Sequence, residues 1–329
     1  MTNMNPKEEL SSLDEPQPIS SLPEQTSVNF SASTEVWYLD GSVVVVSGET
    51  AFRVHQTILS ANCEAFKVLF TVPQPEKSDS ETCDGCPVVR LQDTADDLKH
   101  FFKAMYDISY FLPGVRNKFA VVAAVLRLST KYDASHLRKR AINLLTSAYP
   151  STLLAWDDRL SNRLIPPFEN EHATYMALAL ETRVRIILPA VYFAWSRQPL
   201  LDALRDLVDI EIAATILIGR ERLQRAEISH ILAFLQYNYP RPLCQNVVAD
   251  NQILARTTAA ALAMTTEHEP YHQWCSSHPS EVGESLGLCA NCCLLVESTI
   301  QKGRSIVWEK LPGFFDLPDW ETLLAEVHS

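Results

Sequence analysis

"AFRVHQTILSANCEAFKVLF", residues 51–70, decides the fold of the first half of the chain, because its apolar period changes midway. "AFRV" reads as a short strand. After His55, the apolar residues Ile58, Leu59, Phe66, Leu69 and Phe70 fall at helical spacings, with Ser60-Ala61-Asn62 as break and N-cap. Upstream, "SVVVV" is a β-branched run and "SGET" a turn, so this region is a hairpin. Downstream, "TVPQPEKSDSETCDGC" is a polar, turn-rich loop and "PVVRL" a third strand. "TADDLKHFFKAMYDISY" is a helix capped by Thr94, with Asp96 and Asp97 in its first turn and Leu98, Phe101, Phe102 and Met105 on one face. "FAVVAAVLRLSTKY" and "ASHLRKRAINLLTSAY" add a helix pair, and beyond Pro150 the pattern is wholly helical.

These elements predict an α+β chain. Residues 1–33 form a disordered acidic tail, rich in Ser, Pro, Glu and Asn and dispensable for folding. Residues 34–149 form a compact module in which a short three-stranded sheet is covered by helices, and residues 150–329 form an all-α region. Near the end, "RSIVWEKLPGFFDLPDW" concentrates eight large apolar side chains, Ile306 to Trp320. It is expected to pack back on the helices as a turn-rich strap, with little helix between Lys310 and Trp320.

Composition excludes several functions. With 329 residues and 47% hydrophobic content the chain can bury a substantial core, while a net charge of −12 argues against direct nucleic-acid binding. No run reaches the roughly 18 apolar residues of a membrane span. The N-terminal "MTNMNPKEEL" is expected to be neither signal nor transit peptide, and eight Cys without such a leader read as reduced thiols in an intracellular protein. Only nine Gly are present, and no phosphate-binding glycine loop occurs.

"FRVHQTILSANCEAFKVLF" resembles the signature of the BTB/POZ domain, in which a strand ending Phe-x-Val-His runs into a helix ending Phe-x-x-Leu-Phe. "VVRLQDTADDLKHFFKAMYDISYF" is similar to that domain's third strand and following helix, and "VLRLSTKYDASHLRKRAINLL" to its closing helix pair. The segments "WYLDGSVVV", "LFTVPQP" and "VWEKLPGFFDLPDW" resemble BTB proteins of mushroom-forming fungi. The resemblance implies an interaction module, often a homodimer, used in ubiquitin-ligase adaptors and transcription regulators and lacking catalytic residues. It implies a dimer contact from the segment before the hairpin and from the first helix, with Val36, Trp37, Tyr38 and Ile58 as candidates. Two positions depart from the family pattern. Where many BTB transcription factors carry an Asp and a basic residue lining a charged pocket, this chain has Ser42 and Gln56, with Asp40 nearby. The hydrophobic-x-Glu triplet of many cullin adaptors has no clean counterpart in "TVPQPEKSDSETCDGC".

Other residues bear on chemistry. His55 has no nucleophile beside it in sequence, and the resemblance makes it a buried residue of the frame with local hydrogen bonds. "CDGC", Cys83 to Cys86, has redox spacing, but Asp-Gly turns and Pro87 opens a strand, so no helix lowers a thiol pKa and the pair reads as loop thiols. "RKR" at Arg138 to Arg140 reads as a solvated helix face. In "HQWCSSHPSEVGESLGLCANCC", His272, Cys275, Cys289 and Cys292 have the two-plus-two spacing of a structural zinc site. Equally, Cys289, Cys292, Cys293, Val296 and Ile300 follow the buried face of an amphipathic helix. No cofactor is expected. The chain reads as a BTB-mediated dimerisation or adaptor protein, not an enzyme; the alternative is a metal-binding enzyme using the C-terminal Cys/His cluster.

Overall fold

A computed structural model of the chain describes residues 30–72, 81–199, 209–236, 239–264 and 279–328. Its sheet has five strands rather than three: β1 (Ser31–Trp37), β2 (Val43–Ser47), β3 (Thr50–Val54), β4 (Thr82–Cys83) and β5 (Cys86–Arg90), in the order β1-β3-β2-β5-β4. β2 and β3 are the antiparallel hairpin, with Val45 opposite Phe52 and a turn at Gly48, whose φ is +54°. β1 lies parallel to β3 and β5 parallel to β2. The two strands missing from the sequence reading are explained by their chemistry. β1 is held by backbone pairing (Ser31↔Thr50, Ala32↔Ala51) and by the Ser31 amide donating to the Glu49 carbonyl at 2.7 Å, which demands no apolar side chains. Residues 31–33 therefore belong to the sheet and not to the tail; the rest of that tail, residues 1–29, lies outside the described residues. β4 is only two residues long.

"VVVVS" is buried throughout because the sheet is covered on both faces. Val43, Val45, Phe52 and Val54 face the main core with Leu59, Phe66, Phe101 and Phe102. Val44, Val46, Ala51 and Cys86 make a small second core on the other face, closed by Phe30, Trp37, Cys83 and Val88. Helices α1 (Gln56–Asn62) and α2 (Glu64–Thr71) meet at Cys63, which is extended and serves as C-cap of one and N-cap of the other. The break is thus one residue past Asn62, and no side chain caps α2. Its first amides donate instead to the Asp133 and Tyr132 carbonyls, each at 3.3 Å, so the cap is tertiary and invisible to local pattern. α3 (Ala95–Tyr106) begins as expected, with Thr94 Oγ1 accepting from the Asp97 amide at 3.1 Å. α4 (Phe119–Lys131) and α5 (Ser135–Ala148) complete this part.

The C-terminal region contains α6 (Leu153–Asp157), α7 (Arg159–Asn162), α8 (Glu171–Thr182), α9 (Leu188–Ser196), α10 (Ile210–His230) and α11 (Val247–Met264). It ends with α12 (Ser280–Ser285), α13 (Ala290–Glu309), α14 (Leu311–Phe314) and α15 (Trp320–His328). One contiguous buried cluster runs from Val36 to Leu323, so the helical region packs directly on the mixed module. Close approach is built in at Gly303 of α13: a Cβ there would sit 2.4 Å from the His230 carbonyl oxygen. The strap does pack back, with Leu311, Pro312 and Phe315 buried, but Leu311–Phe314 forms a short helix, since Pro at the second helical position is tolerated.

At the junction, the Tyr149 hydroxyl lies 2.6 Å from His172 Nδ1. Burial holds the His172 imidazole below its ordinary value; Glu171 draws it up, while Arg159 and Arg163 depress it further. Burial depresses His100 and His136 as well. A histidine depressed in the folded state binds its proton more readily when unfolded, so stability falls as pH drops below the unfolded value of about 6.5. The thermal midpoint should fall between about pH 7 and about pH 5.5, and His172→Gln should flatten part of that slope. A variant profile parallel to the wild type would assign the slope to other groups.

Candidate interaction surface

β1 ends the sheet and pairs on one side only, so among the described residues its outer edge has no ladder partner. It is tethered by Lys103 of α3, whose Nζ lies 2.5 Å from Glu35 Oε2. At its end the sequence-predicted contact residues separate. Val36 is wholly buried in the main core, so as folded it has no surface to offer a second chain. Trp37 is half-buried over the second core, while Tyr38 is half-buried against the first, stacked on Tyr106 at 4.4 Å and 15°. Ile58 is half-buried on α1. Leu39, next to Tyr38, is 83% exposed, a residue sequence reading had not singled out. On α2, Val68 and Leu69 are exposed, as is Val72 just past the end of the helix.

His55 is half-buried, not buried, and its bonds reach across the fold. Its amide donates to the Tyr106 hydroxyl at 2.7 Å, and its Nδ1 lies 3.1 Å from the same oxygen. The other ring nitrogen, Nε2, lies 3.3 Å from Asp40 Oδ1. Burial raises the Tyr106 hydroxyl to about 12, so it stays protonated at neutral pH, and His55 hydrogen-bonding holds Asp40 below the usual carboxylate range. His55 thus locks β3 to α3.

Ser42 and Gln56 meet, as the family pattern implied for their positions. The Gln56 amide donates to Ser42 Oγ at 3.0 Å and Gln56 Nε2 to the Ser42 carbonyl at 3.3 Å. The pair is neutral and hydrogen-bonded to itself.

"CDGC" is not a loop. Asp84 and Gly85, with φ of +48° and +75°, make the two-residue turn of the β4–β5 hairpin, and Cys83 faces Cys86 across it. Cys86 is buried and its thiol donates to the Gly41 carbonyl at 3.1 Å. Of the four residues with zinc spacing, His272 and Cys275 lie outside the described residues. Cys289 and Cys292 come together at the start of α13, Cys289 as its N-cap, and two residues that sequence reading missed join them: Cys244 and Asp250. The four ligand atoms all lie within 4.8 Å of one another. The Cys244 thiol donates to Asp250 Oδ2 at 3.2 Å, and the Cys289 amide to the same oxygen at 3.4 Å. Burial works against the Asp250 carboxylate, but hydrogen bonds from Cys289, Cys244 and Cys292 outweigh it and hold it below its ordinary range.

Among the described residues no helix is long and apolar enough to cross a membrane. Residues 38–148 match the family model of the BTB/POZ domain, which takes in the β2–β3 hairpin, β5 and α1 to α5, while β1 precedes the matched residues. Comparison with curated proteins and with solved structures gave no match.

Proposed function

Because the chain carries a BTB/POZ domain, a protein–protein interaction module, we propose that it works by joining a second copy of itself through β1 and α1 and presenting its helical region to a further protein. The observation that carries this reading is the outer edge of β1, which has no ladder partner among the described residues and runs into the half-buried Tyr38 and the exposed Leu39. An unpaired edge strand offers a row of amides and carbonyls to another chain, and proteins that leave one exposed usually cover it by association. Sedimentation and light scattering at micromolar concentration should give a dimer, and Ile58→Lys should shift it toward monomer without lowering the thermal midpoint. A wild-type protein that is monomeric throughout that range overturns the reading.

An adaptor role follows, with the partner bound outside the dimer contact. The neutral Ser42–Gln56 pair supports an assembly other than one built on a charged corepressor pocket. The exposed Val68 and Leu69 of α2, with Val72 just past its end, favour a partner with an apolar face, and a ubiquitin-ligase scaffold is the partner proposed. Titration with a purified cullin N-terminal domain, against a corepressor peptide, separates the two. The resemblance of "WYLDGSVVV" and "VWEKLPGFFDLPDW" to BTB proteins of mushroom-forming fungi supports placing the chain among them.

A further inference from the structure

Asp250 is 2% exposed, and the side chains that bond to it among the described residues are cysteines, not Lys or Arg. Its neighbours are three sulfurs, from Cys244, Cys289 and Cys292. A carboxylate taken out of water is costly unless a cation or a full set of hydrogen bonds compensates. Here the donors that compensate are thiols and one amide at 3.4 Å, and the same three sulfurs are ligand types that a soft divalent cation takes. The donors also come from three separate places in the fold: the turn around Cys244, the first turn of α11 and the N-terminus of α13. Side chains that merely fill a core have no reason to aim every anionic or potentially anionic atom at one point.

We propose that Cys244, Asp250, Cys289 and Cys292 are the four ligands of a structural zinc ion. In a tetrahedral zinc site the ligand atoms lie roughly 3.3–3.8 Å apart, given zinc–sulfur bonds of about 2.3 Å and zinc–oxygen bonds of about 2.0 Å. The present spread of up to 4.8 Å closes to that by small side-chain rotations. Three thiolates select a soft divalent ion over magnesium or calcium, and the Cys289-x-x-Cys292 spacing at a helix start is that of a zinc knuckle. Four protein ligands close the coordination sphere, so the ion fastens α11 and the Cys244 turn to α13 and leaves no position for substrate. The competing use of such a motif is redox, since Cys289 and Cys292 open a long helix. It accounts for neither Cys244 nor the buried carboxylate.

The full chain, purified without chelator or affinity metal, should carry one zinc by mass spectrometry of its metals. Cobalt exchanged into the site should show the visible bands of tetrahedral coordination and a sulfur-to-cobalt charge-transfer band. X-ray absorption at the zinc edge of the wild type should count three sulfurs and one oxygen, a measurement that needs no variant to fold. Cys244→Ser and Asp250→Asn should weaken zinc retention against a chelator at least tenfold, while Cys293→Ser, next to the site but outside it, should retain the ion. Failure of the reduced protein to take up zinc or cobalt overturns the proposal, as does a Cys289–Cys292 disulfide formed in its place. Four sulfurs at the edge would also overturn it, by replacing Asp250 as ligand.

Discussion

Trp308→Ala should cost about 3–5 kcal/mol of folding stability, the range for emptying a large aromatic site in a core. Trp308 is 6% exposed and sits where four segments converge. Its ring is 5.3 Å from Trp156 of α6, 5.7 Å from Phe193 of α9 and stacked on Trp320 of α15 at 6.0 Å. Its indole N–H donates to the Ser151 carbonyl at 2.8 Å, and its own carbonyl accepts from the Trp320 indole at 2.8 Å. Truncation therefore leaves a cavity between three aromatic rings and orphans the Ser151 carbonyl beneath it. Trp308→Phe separates these effects: it keeps most of the packing and loses the hydrogen bond, for about 1–3 kcal/mol. Urea unfolding of both variants measures the difference. A Trp308→Ala protein within about 1 kcal/mol of wild type would mean that the strap is not part of the core.

The strap shows what sequence reading reaches and where it stops. Its density of Trp, Phe and Leu announced burial, because that much apolar surface is not left in water. It did not announce that Leu311–Phe314 closes a turn of helix, which depends on the Lys310 carbonyl receiving the Gly313 amide at 3.1 Å. The same division runs through the mixed module. "SVVVV" and "AFRVH" were legible because side-chain type records strand and burial directly. β1 was not, since its pairing is backbone to backbone and its side chains are mostly exposed. Val36 was named as a dimer-contact candidate through the family resemblance, and its burial in the main core follows from β1, which the pattern did not reveal.

At the metal-ligand cluster the limit is distance along the chain. Cys289-x-x-Cys292 is a local pattern and stood out. Cys244 and Asp250 lie 45 and 39 residues before Cys289, and neither carries a local signal. Asp250 lies in the first turn of α11, outside the helical segment legible in the sequence, and only its burial against three sulfurs marks it. For the interaction surface, the Ser42–Gln56 contact was reached through the family resemblance; composition and periodicity say nothing about two polar residues 14 apart.

Glu171→Ala is the second substitution expected to be severe. Arg163 and Glu171 form a two-pronged pair at 3.1 and 2.7 Å, with side chains 7% and 16% exposed, between the end of α7 and the start of α8. Arg163 Nε also donates to the Ile165 carbonyl at 2.7 Å, so each of the three guanidinium nitrogens makes a hydrogen bond. Burial opposes the Arg163 charge, but the hydrogen bonds and charge of Glu171 overcome it and leave the guanidinium above its ordinary value. Removing the carboxylate strands that charge in a site walled by Tyr149 and Tyr175, and breaking a buried pair from one side typically costs about 3–5 kcal/mol. The pair itself need not be a net stabiliser, because burying two charges consumes much of what their attraction returns. Arg163→Met with Glu171→Leu should therefore recover most of the loss seen in Glu171→Ala alone. A double-mutant cycle of Arg163→Met, Glu171→Leu and the two combined, read by denaturant midpoint beside Glu171→Ala, tests both halves. Equal losses in the single and double variants would show that the pair stabilises in its own right, holding α8 and the helical region onto the BTB/POZ domain at Tyr149.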